Sequence, residues 1–169
     1  ALSVLEDGGA GPITLLHCNT EYPTPIEDAN LLAMQDLAEQ FGLPVGYSDH
    51  TLGHVVASVA AGLGAAMIEK HYTLDKSLPG PDHQASLDIG ELRTFVAAVR
   101  DASASLGDGI KRPVPAEAAN RPLIRKSVVC AAPVLKAGTA ICEAMLGVKR
   151  PWTQGAVEPF EIEKVLGLK

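Results

Sequence analysis

The sequence predicts an α/β fold, a layer or barrel of parallel strands joined by helical crossovers. Over residues 13–106, apolar runs of strand length alternate three times with helical patterns, and the connections are long enough for parallel pairing. Each apolar run ends in a group of polar residues, as expected where the carboxyl ends of parallel strands carry the chemistry. Hydrophobic residues make up 47% of the 169 and charged residues 20%, so there is enough apolar material for a packed core.

Ala1 to Glu6 reads as the last turns of a helix entering the turn Asp7-Gly8-Gly9, which implies a chain that starts mid-fold. Ile13 to Cys18 is the first strand, short and apolar as a strand buried on both faces would be. Thr24-Pro25-Ile26-Glu27 reads as a helix start with Thr24 as cap and Glu27 closing a capping box. The helix would bury Ile26, Ala29, Ala33, Leu37 and Phe41 and end at Gly42. Pro44 to His50 is the second strand, followed by a small-residue helix from about His54 to Leu63. Ala65 to Tyr72 is the third strand. A helix from Ile89 to Leu106 then opens on the capping pair Asp88 and Glu91, with a buried stripe of Ile89, Leu92, Phe95, Val96, Val99 and Leu106.

At residues 108–124 the pattern breaks into a linker with Pro113, Pro115 and Pro122, separating a region 1–107 from a region 125–169. Lys111, Arg112, Arg121, Arg125 and Lys126 would form a solvated face there. Ser127 to Ala132 and Val134-Leu135 read as short strands, Lys136 to Thr139 as a turn, and Glu158 to Leu166 as a closing helix. A (β/α)8 barrel needs on the order of 250 residues, so in a barrel further units would precede Ala1.

A net charge of −6 argues against binding to a nucleic-acid backbone. The most apolar stretch, Val55 to Ile68, is too short and too interrupted to cross a bilayer. Cys18, Cys130 and Cys142 are odd in number and contain no CxxC pair, which suits a reducing cytoplasm, with the thiols as small buried hydrophobes.

The strand ends read His17-Cys18-Asn19-Thr20-Glu21-Tyr22, Ser48-Asp49-His50-Thr51 and Glu69-Lys70-His71-Tyr72. Side chains alternate along a strand, so Ser48 and His50 share one face, as do Glu69 and His71. If both faces point inward, two imidazoles meet at one depth and suit a divalent transition metal with positions open for substrate. A lone strand-end histidine is more often a hydrogen-bonded structural residue; the second at an equivalent place strengthens the ligand reading. Asp49 and Lys70 then point to the helical layer as paired or capping groups, and His17, within its strand, is structural. HTLGH lacks the glutamate of a zincin helix.

The strings LLHCNTEYPTP, GYSDHTLGH, EKHYTLDKSLPGPDHQASL and GVKRP, in this order, resemble the sialic acid (N-acetylneuraminate) synthase family. The resemblance implies the C-terminal portion of a (β/α)8 TIM barrel followed by a partial antifreeze-like (SAF, β-clip) domain. It implies an enzyme of the phosphoenolpyruvate-dependent transferase class that condenses phosphoenolpyruvate with an N-acylated hexosamine aldehyde. The implied products are a nonulosonic acid and phosphate, the latter released by C–O cleavage.

On the matching positions, the resemblance makes His50 and His71 ligands of a divalent metal, Mn2+ first, with Mg2+ or Co2+ as substitutes. It makes Ser48 a phosphoenolpyruvate contact, with Thr20 at another such position and Asn19 beside it. Tyr22 and Asp82 would meet the amino sugar, and Arg150 would reach the partner's site in a domain-swapped homodimer. Glu69, on the face of His71, is a candidate proton acceptor or support for the metal ligands. Groups that the family places upstream are not in this sequence, so the segment alone is expected to be inactive. The competing readings are a sugar-binding or interaction module without catalysis, and a metal-dependent aldolase on the same barrel.

Overall fold

The computed structural model describes residues 1–131 and 134–169, and the chain divides into two compact units, residues 1–109 and 110–169. After a short helix α1 (Leu2–Asp7), the first unit runs β1 (Leu15–Cys18), α2 (Ala33–Phe41), β2 (Val45–Asp49), α3 (Val55–Gly62), β3 (Ile68–Lys70) and α4 (Ile89–Ser105). The strands form a parallel sheet in the order β1-β2-β3, with Leu15 opposite Val45, Cys18 opposite Ser48, Ser48 opposite Glu69 and Asp49 opposite Lys70. This is the α/β alternation that the sequence predicts.

One face of the sheet carries the core. Val45 and Tyr47 pack with Ala29, Met34, Val56 and Ala60, against Leu15, Leu37 and Ile68. A second cluster joins Ala57 of α3 to Leu87 and Phe95, with Leu92, Val96 and Val99 of α4 beside it. The alanines of α3 allow this close layering: Ala57 and Ala60 are fully buried. Gly46 is fixed by the sheet itself, because a Cβ there would lie 2.5 Å from the Met67 carbonyl oxygen and 2.6 Å from Leu16 Cδ2. Gly46→Ala is therefore expected to destabilise the unit by about 1–3 kcal/mol, read as a lower urea midpoint at constant m.

Helix α4 has the expected capping box, with Asp88 accepting from the Glu91 N–H and Glu91 accepting from the Asp88 N–H. Its buried stripe is shorter than expected, since Ile89 and Leu106 are exposed beyond the packed layer. Helix α2 begins later than the sequence suggests. Thr24 donates its hydroxyl to the Glu21 carbonyl rather than capping, and Ile26–Asp28 forms only a 3-10 turn. Asn30, at φ 42°, then breaks the path before Ala33. Gly42 ends α2 in the left-handed conformation as predicted, at φ 65°. The third strand is shorter than Ala65 to Tyr72 because the Ala65 N–H still bonds to the Ala60 carbonyl of α3.

The second unit contains a four-residue helix α5 (Arg121–Ile124) and the strands β4 (Ser127–Cys130) and β5 (Leu146–Lys149), which pair antiparallel from Ser127–Lys149 to Cys130–Leu146. Strand β5, which overlaps the start of GVKRP, is absent from the sequence prediction. Val134-Leu135 is not a strand, and the end at Ala132 of the strand predicted from Ser127 lies outside the described residues. Glu158 caps a 3-10 stretch, Pro159–Lys164, in place of an α-helix. Arg125 is not on a solvated face: it is paired with Glu158 and lies over the Trp152 ring, 4.4 Å from its centre. None of the described helices is long and apolar enough to cross a membrane.

Candidate active site

The alternation along β2 and β3 separates two sets of polar residues. Toward the helices, Lys70 Nζ lies 3.2 Å from Asp49 Oδ2 and 5.8 Å from the centre of the Phe95 ring of α4. Burial lowers the Lys70 pKa, and the Asp49 charge opposes that shift. Tyr47, buried on the same face, is pushed up to about 12, by burial first and the Asp49 charge second. His17 also faces this side and donates Nε2–H to the Ala29 carbonyl at 2.8 Å, the structural role expected of it.

The opposite face presents Cys18, Ser48, His50, Glu69 and His71. Ser48 Oγ donates to Glu69 Oε1 at 2.6 Å across the β2–β3 register. The rings of His50 and His71 stand 5.1 Å apart, edge to face at 75°. The Tyr22 ring completes the group, 4.8 Å from His50 and 4.5 Å from His71. Tyr22 donates its hydroxyl to Ser86 Oγ at 3.5 Å, and burial raises its pKa. Asp82 brings Oδ2 to 4.0 Å from His71 Nδ1. Backbone bonds fix both histidines: the His50 carbonyl accepts from the Thr24 N–H, and the His71 carbonyl from the Leu87 N–H.

His50, His71, Tyr22 and Asp82 thus converge, and the Ser48–Glu69 pair lies on the same face of the sheet. Thr20 is exposed and makes no polar contact among the described residues. Asn19 turns away from the imidazoles, donating Nδ2–H to the Asp28 carbonyl, while its buried Oδ1 has no partner among the described residues. Arg150 belongs to the second unit, where its Nε–H donates to the Ile124 carbonyl.

Two participants escaped the sequence reading. Ser86 anchors Tyr22 from a loop whose path no periodicity reveals. Cys18 lies with Sγ 3.8 Å from His50 Nε2. It and the other two cysteines are exposed, not buried. Cys18 is the last residue of β1 and shares the face of Ser48, opposite the one on which the apolar cluster packs. The signal was its odd-even position relative to His17.

Among the described residues, no set of three or more His, Cys, Asp and Glu side chains is arranged to hold a metal ion. The site therefore offers two imidazole nitrogens on one side and a serine–carboxylate pair beside them. Such a face can bind a cation with open positions, accept a proton at Glu69 and stack a ligand on Tyr22.

Polar groups gathered at the carboxyl edge of a parallel sheet define an α/β protein with a candidate site at the strand tips. The chain belongs to the NeuB family, whose model matches residues 1–111. It is 48% identical over 155 residues to N,N'-diacetyllegionaminic acid synthase of Legionella pneumophila, a match covering 92% of this chain and 43% of the relative. It is 46% identical over 169 residues to N,N'-diacetyllegionaminic acid synthase of Campylobacter jejuni, covering 99% and 50% respectively. A solved structure, the N-acetylneuraminic acid (sialic acid) synthetase of Leptospira borgpetersenii in complex with citrate, is similar with TM-score 0.60 and 37% identity, over 70% of this chain and 41% of that one. The chain spans about half the length of the curated relatives it matches.

Proposed function

We propose that this chain supplies part of the active site of a nonulosonic acid synthase, which joins phosphoenolpyruvate to an N-acylated hexosamine aldehyde and releases phosphate. In this reading residues 1–107 are the C-terminal part of a (β/α)8 barrel, 108–124 a linker, and 125–169 the start of an antifreeze-like domain. The full reaction belongs to the longer, cytoplasmic protein, as a domain-swapped homodimer with Arg150 reaching the partner's site. The observation that carries the proposal is the approach of the His50 and His71 rings to 5.1 Å at the tips of neighbouring parallel strands.

Two neutral imidazoles fit a divalent cation that keeps positions for substrate oxygens, so His50 and His71 would hold it. When bound, it supplies Lewis acidity at the aldehyde oxygen, where negative charge develops as the new carbon–carbon bond forms. The remaining work falls to the chain. Ser48, whose hydroxyl donates to Glu69 Oε1 at 2.6 Å, turns that hydrogen to a carboxylate or phosphate oxygen of phosphoenolpyruvate when the substrate binds, which leaves Glu69 free as an acceptor. Glu69 accepts the proton of the water that adds to the pyruvyl carbon, before the tetrahedral species loses phosphate. The Tyr22 ring walls the sugar side, and Asp82 accepts hydrogen bonds from sugar hydroxyls. Thr20 and Asn19 stand at the edge of the phosphoenolpyruvate subsite.

Titration calorimetry of this chain with Mn2+ tests the proposal. Wild type is expected to bind, and His50→Ala and His71→Ala each to weaken binding at least tenfold while the far-UV spectrum stays unchanged. Equal affinity in all three proteins would overturn the metal assignment and favour a non-catalytic sugar-binding module.

A further inference from the structure

We infer that the buried Asp49–Lys70 ion pair is the device that positions His50 and His71 for a shared ligand; the inference rests on the metal-binding reading above. The β2–β3 ladder ends at Asp49 opposite Lys70, so each histidine sits one residue past the last paired position. The His50 carbonyl is held by the Thr24 N–H and the His71 carbonyl by the Leu87 N–H, each from its own loop, so those bonds do not fix one tip against the other. Here the pair just below them lies on the opposite face, 3.2 Å apart, with side chains 0% and 3% exposed.

Its contacts do more than join two strands. Asp49 Oδ1 accepts from the Thr51 N–H at 2.9 Å and from Thr51 Oγ1 at 2.8 Å, closing a turn around His50. Lys70 Nζ donates to the Thr51 carbonyl as well as to Asp49. The residues before and after His50 are thereby tied to the side chain that directly precedes His71. On the site face the Ser48–Glu69 bond adds a second strut one register earlier.

Stability alone does not require this arrangement. A buried ion pair can often be replaced by apolar side chains of similar volume with no loss of stability. Apolar side chains cannot supply the directed bonds to Thr51, and those bonds set the backbone at His50. The pair therefore acts through the histidines, and Asp49 and Lys70 are positioning residues.

The double variant Asp49→Leu/Lys70→Met separates positioning from stability. In the metal-free protein, NOEs among the ring protons of Tyr22, His50 and His71 report the convergence, and Mn2+ calorimetry reports its use. The double variant is expected to lower the urea midpoint less than Asp49→Ala does, because no buried charge is orphaned, to lose the ring NOEs, and to bind Mn2+ at least tenfold more weakly. A folded double variant with wild-type NOEs and wild-type affinity would overturn the inference. Should the double variant fail to fold, Asp49→Val/Lys70→Leu, which also lacks the bonds to Thr51 but has smaller apolar side chains, carries the same two readouts, and unchanged values there overturn it equally. If wild type shows the NOEs but no Mn2+ affinity, the metal reading falls, while the NOE comparison still decides the positioning role.

Discussion

Asp49→Ala is expected to destabilise the 1–109 unit by about 3–5 kcal/mol, the cost of leaving a buried ammonium without its counter-charge. The Lys70 side chain is 3% exposed, so it cannot recover hydration without leaving the layer of Phe95. The substitution also removes both side-chain bonds that hold Thr51, itself buried. A loss of this size is a large part of the roughly 5–15 kcal/mol that stabilises ordinary domains. Near-UV tyrosine dichroism under urea follows this unit, because Tyr22, Tyr47 and Tyr72 all lie in it and the single tryptophan, Trp152, lies in the other. A drop below about 1 kcal/mol would mean that the ammonium reaches water, against the burial described here. The contrast with Asp49→Leu/Lys70→Met matters: one change orphans a charge, the other removes the pair.

The same strand tips show what could be read from sequence. Period-two alternation placed Ser48 with His50 and Glu69 with His71, and it sent Asp49 and Lys70 to the helical side, because a strand leaves a side chain only two directions. The Asp88–Glu91 box was legible because its donors and acceptors are local. Thr24 carried the same local signature, but its hydroxyl found the Glu21 carbonyl and its N–H the His50 carbonyl, a tertiary partner that no three-residue spacing encodes. The positive φ of Asn30 was likewise silent, since asparagine tolerates but does not demand it. Strand β5 escaped because Gly147 interrupts a short run that gains strand character only by pairing with β4. Exposure of Cys18 depends on which sheet face the apolar cluster packs against, and one strand cannot announce that. Convergence of Tyr22 and Ser86 on the histidines needed the folded loops.

Between pH 10 and 12 the unit is expected to lose about 2–3 kcal/mol through Tyr47 alone. The folded-state pKa of about 12 exceeds the ordinary 10 because the phenol is buried beside the Asp49 charge. In that window the unfolded chain releases the proton and the folded chain retains it, so stability falls as pH rises and the loss is complete above the folded value. Below pH 10 the phenol is protonated in both states and contributes no pH dependence. Lys70 acts in the opposite sense: burial lowers its pKa, so stability rises with pH up to the unfolded lysine value of 10.5. Comparison with Tyr47→Phe therefore isolates the phenol. The hydroxyl has no hydrogen-bond partner among the described residues, so removing it should leave stability at pH 7 unchanged or slightly raised. Urea midpoints followed by far-UV dichroism at pH 9, 10, 11 and 12 should then separate progressively, the variant holding its stability where wild type declines. Parallel curves for the two proteins would place the Tyr47 hydroxyl in contact with water, and with it the helical face of β2 that the core depends on.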